Sequence, residues 1–384
     1  MRPWLAILFL AIAGSAQQPA SETLTIAPGV EYSHRTSQNT AGEPLSIHVL
    51  KISRAHKELR LVAIPGQTAD GRMARVVTTE LAQRLPNALA VVNSDFDFTD
   101  KELIGTPTGL SITSGQFWTG IRLHAPVFSI LQTGAPLIDF PEAGIELEKI
   151  ATTWKFNKPL DGNDKDFGIF SAEYPAPIRS KTPIQVIVIG GLRAPTPLPA
   201  SARIRGEITK VIKQTTEWRV EPGTIVLVAP ATYQFRNSNL KIGKKVYVRT
   251  TARVGGKPVL HALGGFPVLV REGKREILGN PEGYITARHP RTAVCYNTDS
   301  IIFTVVDGRQ PKLSMGLTLE ELADLEVSLG CTIAMNLDGG GSSLMAIAPP
   351  IADSDRPGVL RIVNSPSDGK ERPRPNAWVL VRRP

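Results

Sequence analysis

The chain has 384 residues, 42% of them hydrophobic, a net charge of +9 and only two cysteines. That length is enough for one large domain or two with a sizeable core. Two cysteines exclude a disulfide-built scaffold, six scattered histidines give no zinc-type spacing, and basic residues without interleaved aromatics argue against nucleic acid as a partner.

At the N-terminus Arg2 supplies a positive region, residues 4–13 a short apolar run, and Gly14, Ser15 and Ala16 small residues for cleavage. Residues 1–16 read as a secretory signal peptide, too short to span a bilayer as a mature helix. No cysteine follows the apolar run, so a lipid-modified N-terminus is not indicated. No later segment is long and apolar enough to cross a membrane. The mature protein is therefore expected to be exported, periplasmic or extracellular, without stable membrane insertion.

Many prolines and glycines between short Val/Ile-rich runs predict a β-rich fold with few helices. Residues 17–92 read as N-terminal strands and a helix leading into a catalytic domain. Strands are expected over 45–52 and 59–64, and a short helix over 76–85 that Pro86 stops. A buried strand over 88–93 then delivers Asn93 and Asp95 at its end. Residues 127–261 form a β-rich middle lobe within the 93–384 domain, with strands at 184–189, 204–212 and 225–229.

The last third carries the densest signals. Glu272-Gly273 between two apolar runs predicts a hairpin, and 292–296 with 301–306 a second strand pair. Thr318 and Glu321 have capping-box spacing for a helix over 318–329, with Gly330 as its stop. The apolar run 331–335 follows directly, and a strand, helix and strand in this order suggest a parallel crossover. The fold class is thus α+β or mixed α/β, a single catalytic domain with a mixed sheet. Cys295 and Cys331 both lie in apolar runs, either bonded or as two buried thiols.

Residues 336–343 read Asn-Leu-Asp-Gly-Gly-Gly-Ser-Ser. Asn336 and Asp338 are spaced to share a strand face, and the glycines let a ligand approach main-chain amides closely. A tight turn that merely permits a reversal is the plainer reading. A nucleotide P-loop is excluded because its lysine is absent. Other polar clusters also close or open apolar runs: Asn93 to Phe96, His289 to Thr292, and Asp307 to Gln310. Carboxylates, arginines and a glycine loop together describe a site for an anionic, hydroxyl-rich ligand.

The runs NSDF (93–96), GGFPVLVREGK (264–274), HPRTAV (289–294), VVDGRQ (305–310), GLTLEELA (316–323) and NLDGGGSS (336–343) resemble the phosphodiester glycosidase family, as does the tract 363–377. The resemblance runs from about Asn93 to the end and is weak through the middle. Two positions depart from its pattern: Cys295 where glycine is expected, and Asp97 where a second aromatic usually follows Phe96.

The resemblance implies hydrolysis of a sugar-1-phosphodiester to free sugar and phosphomonoester. A phosphate leaving group, with a second pKa near ~6, needs less help from a general acid than an alkoxide does. A carboxylate must activate water or attack C1 itself. Asp338 is the first choice for that role, then Asp95, then Asp307. Arg291 is the favoured phosphate clamp, with Arg372 in reserve. Gly339, Gly340, Gly341 and Ser342 would supply an amide cradle, while Asn336 and Asn93 orient the sugar or the carboxylates.

No cofactor is called for, although Asp95, Asp307 and Asp338 could gather oxygen ligands for calcium or magnesium without EF-hand spacing. The expected partner is a carbohydrate or sugar-phosphate substrate; oligomeric state is not legible. Two competing readings are a hydrolase of ordinary glycosidic bonds in envelope or exopolysaccharide glycans, and a non-catalytic glycan-binding protein.

Overall fold

The computed structural model describes residues 21–148, 150, 154–160, 167–235, 240–278, 286–349 and 359–383. The expected signal peptide at 1–16 lies outside the described residues. The rest is β-rich with few helices, organised in three sheets.

Two of these sheets stack face to face. The first has eight strands in the order Ser21–Ala27, Val30–Gln38, Pro44–Ser53, Ser300–Val306, Arg291–Tyr296, Ile333–Asn336, Val268–Arg271 and Lys274–Leu278. The second has five: Arg361–Ile362, Met345–Ile347, Ala88–Asn93, Asn376–Arg382 and Leu59–Pro65. Side chains alternate between faces along a strand, and the packing follows that period. Leu50, Ile52, Val294, Phe303 and Met335 from one sheet meet Ala90, Val92 and Trp378 from the other in a shared core. Phe128 joins that core with its ring centroid 4.9 Å from Trp378.

The outer faces are covered by the two α-helices. Ile47, Val49, Ala293 and Ala334 point away from the shared core and pack on Leu322 and Ala323 of the helix Leu319–Ser328. Val91, Ala377 and Val379 do the same against Leu81 and Ala82 of the helix Thr78–Gln83. The result is a helix–sheet–sheet–helix sandwich. A twelve-stranded sheet built from strands between Lys155 and Gly264, together with those at 111–147, forms the third layer system with its own cores.

Most expected elements are present, with informative differences. The helix expected over 76–85 is Thr78–Gln83. Val76 is drawn out of it because its amide and carbonyl both pair with the main chain of Arg374, at 2.9 and 2.8 Å. The 318–329 helix has its capping box, with Glu321 N–H donating to Thr318 Oγ1 and Thr318 N–H to Glu321 Oε2. Glu272 and Gly273 both adopt positive φ, the turn that a two-residue hairpin between Arg271 and Lys274 requires. The crossover differs in detail. Ser300–Val306 and Ile333–Asn336 run parallel, but Arg291–Tyr296 lies between them, antiparallel to both. The middle strands run longer than expected: Ile178–Gly190 and Ala202–Trp218 pair as an extended antiparallel ribbon.

Cys295 and Cys331 form a disulfide that ties the eight-stranded sheet to the segment after the helix Leu319–Ser328. Beside it, the fully buried Glu326 lies 3.3 Å from Cys331 Sγ, and burial pushes its carboxyl up to about 7. Because folding raises this pKa from the usual 4.5, the folded chain binds the extra proton between those values. The stabilisation is complete below pH 4.5 and is lost as pH rises through 7. Glu326→Gln should therefore flatten the fall in melting temperature between pH 5 and 8, a difference on the order of 3 kcal/mol across the full window. Calorimetric melting curves for wild type and variant that stay parallel across this range would refute the assignment.

Candidate active site

Two strand ends, one from each stacked sheet, meet at the site. Ala88–Asn93 and Ile333–Asn336 stop side by side, and Asn93 fastens them. Its Oδ1 accepts from Thr292 Oγ1 at 3.0 Å and from the Leu344 amide at 2.9 Å, while its Nδ2 donates to the Asp338 carbonyl at 2.7 Å. The Asp338 amide donates to Ser94 O and the Leu337 amide to Thr292 O, each at 2.8 Å. Expected to orient a sugar or a carboxylate, Asn93 holds the main chain of Asp338. Asn336, the last residue of its strand, donates from Nδ2 to Phe266 O at 2.7 Å.

Asp338 lies just beyond that strand, its side chain 14% exposed. Its Oδ1 accepts the Gly339 amide at 2.9 Å, and its Oδ2 pairs with Arg374 Nη2. Burial raises its pKa above the ordinary aspartate range; Arg374 opposes that, as does the nearby Ser342 hydroxyl, and Asp97 adds to it. Arg374 is itself buried and shared: the same Nη2 lies 3.0 Å from Asp97 Oδ1 and donates to Asp95 O at 3.2 Å. Asp97 in turn takes both Nε and Nη2 of Arg75, at 2.5 and 3.0 Å. Four alternating charges thus run Arg75, Asp97, Arg374, Asp338. Arg75 also stands on the wall of a groove of about 710 Å³ lined by Gln67, Thr68, Val77, Arg84 and Pro373.

The glycine loop forms a single 3₁₀ turn, Gly340–Ser342. Its amides are largely spoken for: Gly339 donates to Asp338 Oδ1, Gly340 to Pro290 O and Ser342 to Gly339 O. The expected four-amide cradle is therefore not what the loop presents. Two guanidinium groups lie over it instead. A Cβ at Gly340 would come within 3.1 Å of Arg309 Nη2, and one at Gly341 would overlap Arg372 Nη2 and the Asp368 carboxylate. Glycine is what lets both arginines settle on the main chain. Arg372 is held by Asp368, Nε to Oδ2 at 2.8 Å, and Arg309 Nη2 lies 3.2 Å from His289 Nδ1. The neighbouring guanidinium groups, together with burial, hold His289 below its usual pKa.

The remaining predicted residues are placed as follows. Arg291 is buried, and its Nε and Nη2 donate to the carbonyls of Leu317 and Ala287 at 2.9 and 2.8 Å. Burial, with Arg309 nearby, lowers its pKa to about 10. Asp95 is 1% exposed and takes the Gly109 amide at 2.9 Å; a Cβ on Gly109 or Gly264 would crowd the same oxygen. Burial raises its pKa and lowers that of Lys158 beside it. Asp307 is bonded to His48 Nε2 at 3.0 Å, the Ser365 amide at 2.8 Å and Asn364 Nδ2 at 3.1 Å, and that Nδ2 also donates to the Ser343 carbonyl beyond the glycine loop at 3.2 Å.

The three carboxylates left open as a cation cage thus have separate partners. Among the described residues, the cluster of three side-chain ligand atoms within 4.8 Å is Cys295, Glu326 and Cys331, whose sulfurs are bonded to each other. Sequence reading overlooked Arg374, Arg75 and Arg309. Arg309 and Arg374 stood inside quoted motifs, and Arg374 lies between two prolines that favour extended backbone. Around Asp338 the buried Ser94 Oγ, Asn336 Oδ1, Ser343 Oγ and Asn376 Nδ2 have no hydrogen-bond partner in the protein.

Asn93→Ala should strand the Leu344 amide and the Asp338 carbonyl, costing about 2–4 kcal/mol. Urea denaturation would measure this; a loss below 1 kcal/mol would show that Asn93 does not hold the two sheets.

Residues 199–381 match the protein family described as phosphodiester glycosidase. The prophage-derived protein YomE of Bacillus subtilis (strain 168) is 35% identical over 89 residues, 23% of this chain and 12% of that protein. A solved Synechocystis protein superimposes with a TM-score of 0.72 at 16% identity, over 96% of this chain and 65% of its own. A Burkholderia pseudomallei K96243 protein described as exported gives 0.70 at 17% identity, over 99% and 100%. This chain therefore spans about an eighth of the curated relative and just under two thirds of the first of these structures. The two solved structures share its fold.

Proposed function

We propose that this chain, whose residues 199–381 match the phosphodiester glycosidase family, hydrolyses the C1–O bond of a sugar-1-phosphodiester. Water adds to C1, the bond from C1 to the bridging oxygen breaks, and free sugar and phosphomonoester leave. The observation that carries this reading is Asp338. It is a mostly buried carboxylate beside a glycine loop over which two guanidinium groups lie.

Asp338, with Arg374 opposing the effect of its burial, acts at the anomeric carbon as base toward water or as nucleophile. Arg309 and Arg372 hold the phosphate, whose planar O–P–O face suits a guanidinium fork. Hydrolysis of an ordinary glycosidic bond is the weaker reading. It needs a proton donor at the leaving oxygen, and the raised-pKa candidate, Asp95, is buried and already bonded to Gly109. The Cys295–Cys331 disulfide suits an oxidising compartment, which supports action outside the cytoplasm.

Asp338→Asn should lower kcat by roughly 10²- to 10⁴-fold in a chain that still folds, because Arg374 keeps Asp97 as its counter-ion. Because burial raises the Asp338 pKa, activity should fade as pH drops through a midpoint above the usual aspartate value of 3.8. Arg309→Ala and Arg372→Ala should each raise KM about tenfold or more. Hydrolysis in ¹⁸O-water should place the label in the released sugar. Label in the phosphomonoester would mean P–O cleavage and reject the proposal.

A further inference from the structure

We propose that Asp97 is a positioning residue for Asp338: it anchors Arg374, with Arg75 as its counterweight, and so sets how firmly Arg374 grips the catalytic carboxylate. This rests on the reading of Asp338 given above. Asp97 stands where the resembling family usually carries an aromatic side chain, so the arrangement does not come with the family pattern.

The geometry is specific. One nitrogen, Arg374 Nη2, faces both Asp338 Oδ2 and Asp97 Oδ1 and also reaches the Asp95 carbonyl. A guanidinium drawn by two carboxylates divides its hold between them. Asp97, with its side chain 2% exposed, would compete strongly if it stood alone. Its charge is instead spread over Arg75 Nε and Nη2 and the Gly105 amide, at 2.5, 3.0 and 3.1 Å. Arg75, 26% exposed, can be altered with little disturbance of the core.

The charged groups around Asp338 are Arg374 in contact, then Asp97, Arg75 and Asp95. The sign of each change follows. Asp97→Asn removes a negative neighbour and frees Arg374 for Asp338, so both effects favour the ionised carboxylate and lower its titration midpoint. Arg75→Gln removes a positive neighbour and leaves Asp97 pulling harder on Arg374, so both effects raise it. A merely structural ion pair would lower the melting temperature in both variants without opposite shifts.

The test is a ¹³C carboxyl NMR titration of aspartate-labelled protein, with the Asp338 resonance assigned by its loss in Asp338→Asn. The expected result is a midpoint moved down by about one pH unit in Asp97→Asn and up by a similar amount in Arg75→Gln. Should Asp97→Asn fail to fold, the upward shift in Arg75→Gln still decides. Absence of a shift, or shifts of the same sign, overturns the proposal. The acid limb of kcat on a sugar-1-phosphodiester should move with the NMR midpoints. If no such substrate turns over, the proposed reaction fails while the titration still judges Asp97.

Discussion

A carboxylate taken out of water must be met by a cation or by donors, and the site is organised around how Asp338 meets that requirement. Its partner Arg374 is buried too, so Arg374 needs fixing in place. Its main chain is clamped on both sides to Val76, and Pro373 and Pro375 flank it. That clamp shortens the first helix by two residues at its start. On the other side Asn93 grips the Asp338 carbonyl and the Leu344 amide, so the two stacked sheets are joined at the point where the charge sits. Loss of one partner from a buried pair leaves the other uncompensated, which costs far more than the pair contributes.

Charge is distributed unevenly around this point. Along Arg75, Asp97, Arg374 and Asp338 the signs alternate and cancel, so the series orients groups without attracting a ligand. Over the glycine loop the balance is positive. Arg309 and Arg372 lie there, Arg372 paired with Asp368, and burial with the nearby guanidinium groups lowers the pKa of His289 beside Arg309. A concave region of one sign raises the local concentration of oppositely charged ligand. The neutral series and the positive rim meet at Asp338, so Arg374 faces the carboxylate while Arg309 and Arg372 stand apart from it over the loop.

The sequence made the frame legible because strand alternation and turn chemistry are local. The 88–93 strand, the capped helix after Thr318 and the Glu272-Gly273 turn each depend on neighbours within a few residues. The loop from Asn336 to Ser343 was legible as a turn that follows a strand for the same reason. What the sequence did not reveal was which arginine serves which carboxylate. Arg291 looked like a clamp, yet its Nε and Nη2 go to main-chain carbonyls, and Arg374 became Asp338's partner across a distance of 36 residues in the chain. Such pairings depend on how two sheets stack, and no spacing rule reports that. The amide cradle failed for a related reason: a 3₁₀ turn uses its own donors, and only the fold shows that the turn is closed.

The middle lobe carried no evident chemistry as sequence, and it contributes none directly. It contributes one buried cation. Lys158 donates from Nζ to the carbonyls of Pro107, Thr108 and Gly109 at 2.7, 2.7 and 2.9 Å, which matches the three protons of an ammonium group. Those carbonyls belong to the turn whose Gly109 amide holds Asp95, and the Asp95 carbonyl accepts from the nitrogen of Arg374 that grips Asp338. Burial works against both the Lys158 and the Asp95 charge, and each favours the charged form of the other. The lobe therefore acts on the site through support. It fixes the turn, the turn fixes Asp95, and Asp95 closes the last contact of the arginine on which the exposed edge of Asp338 depends.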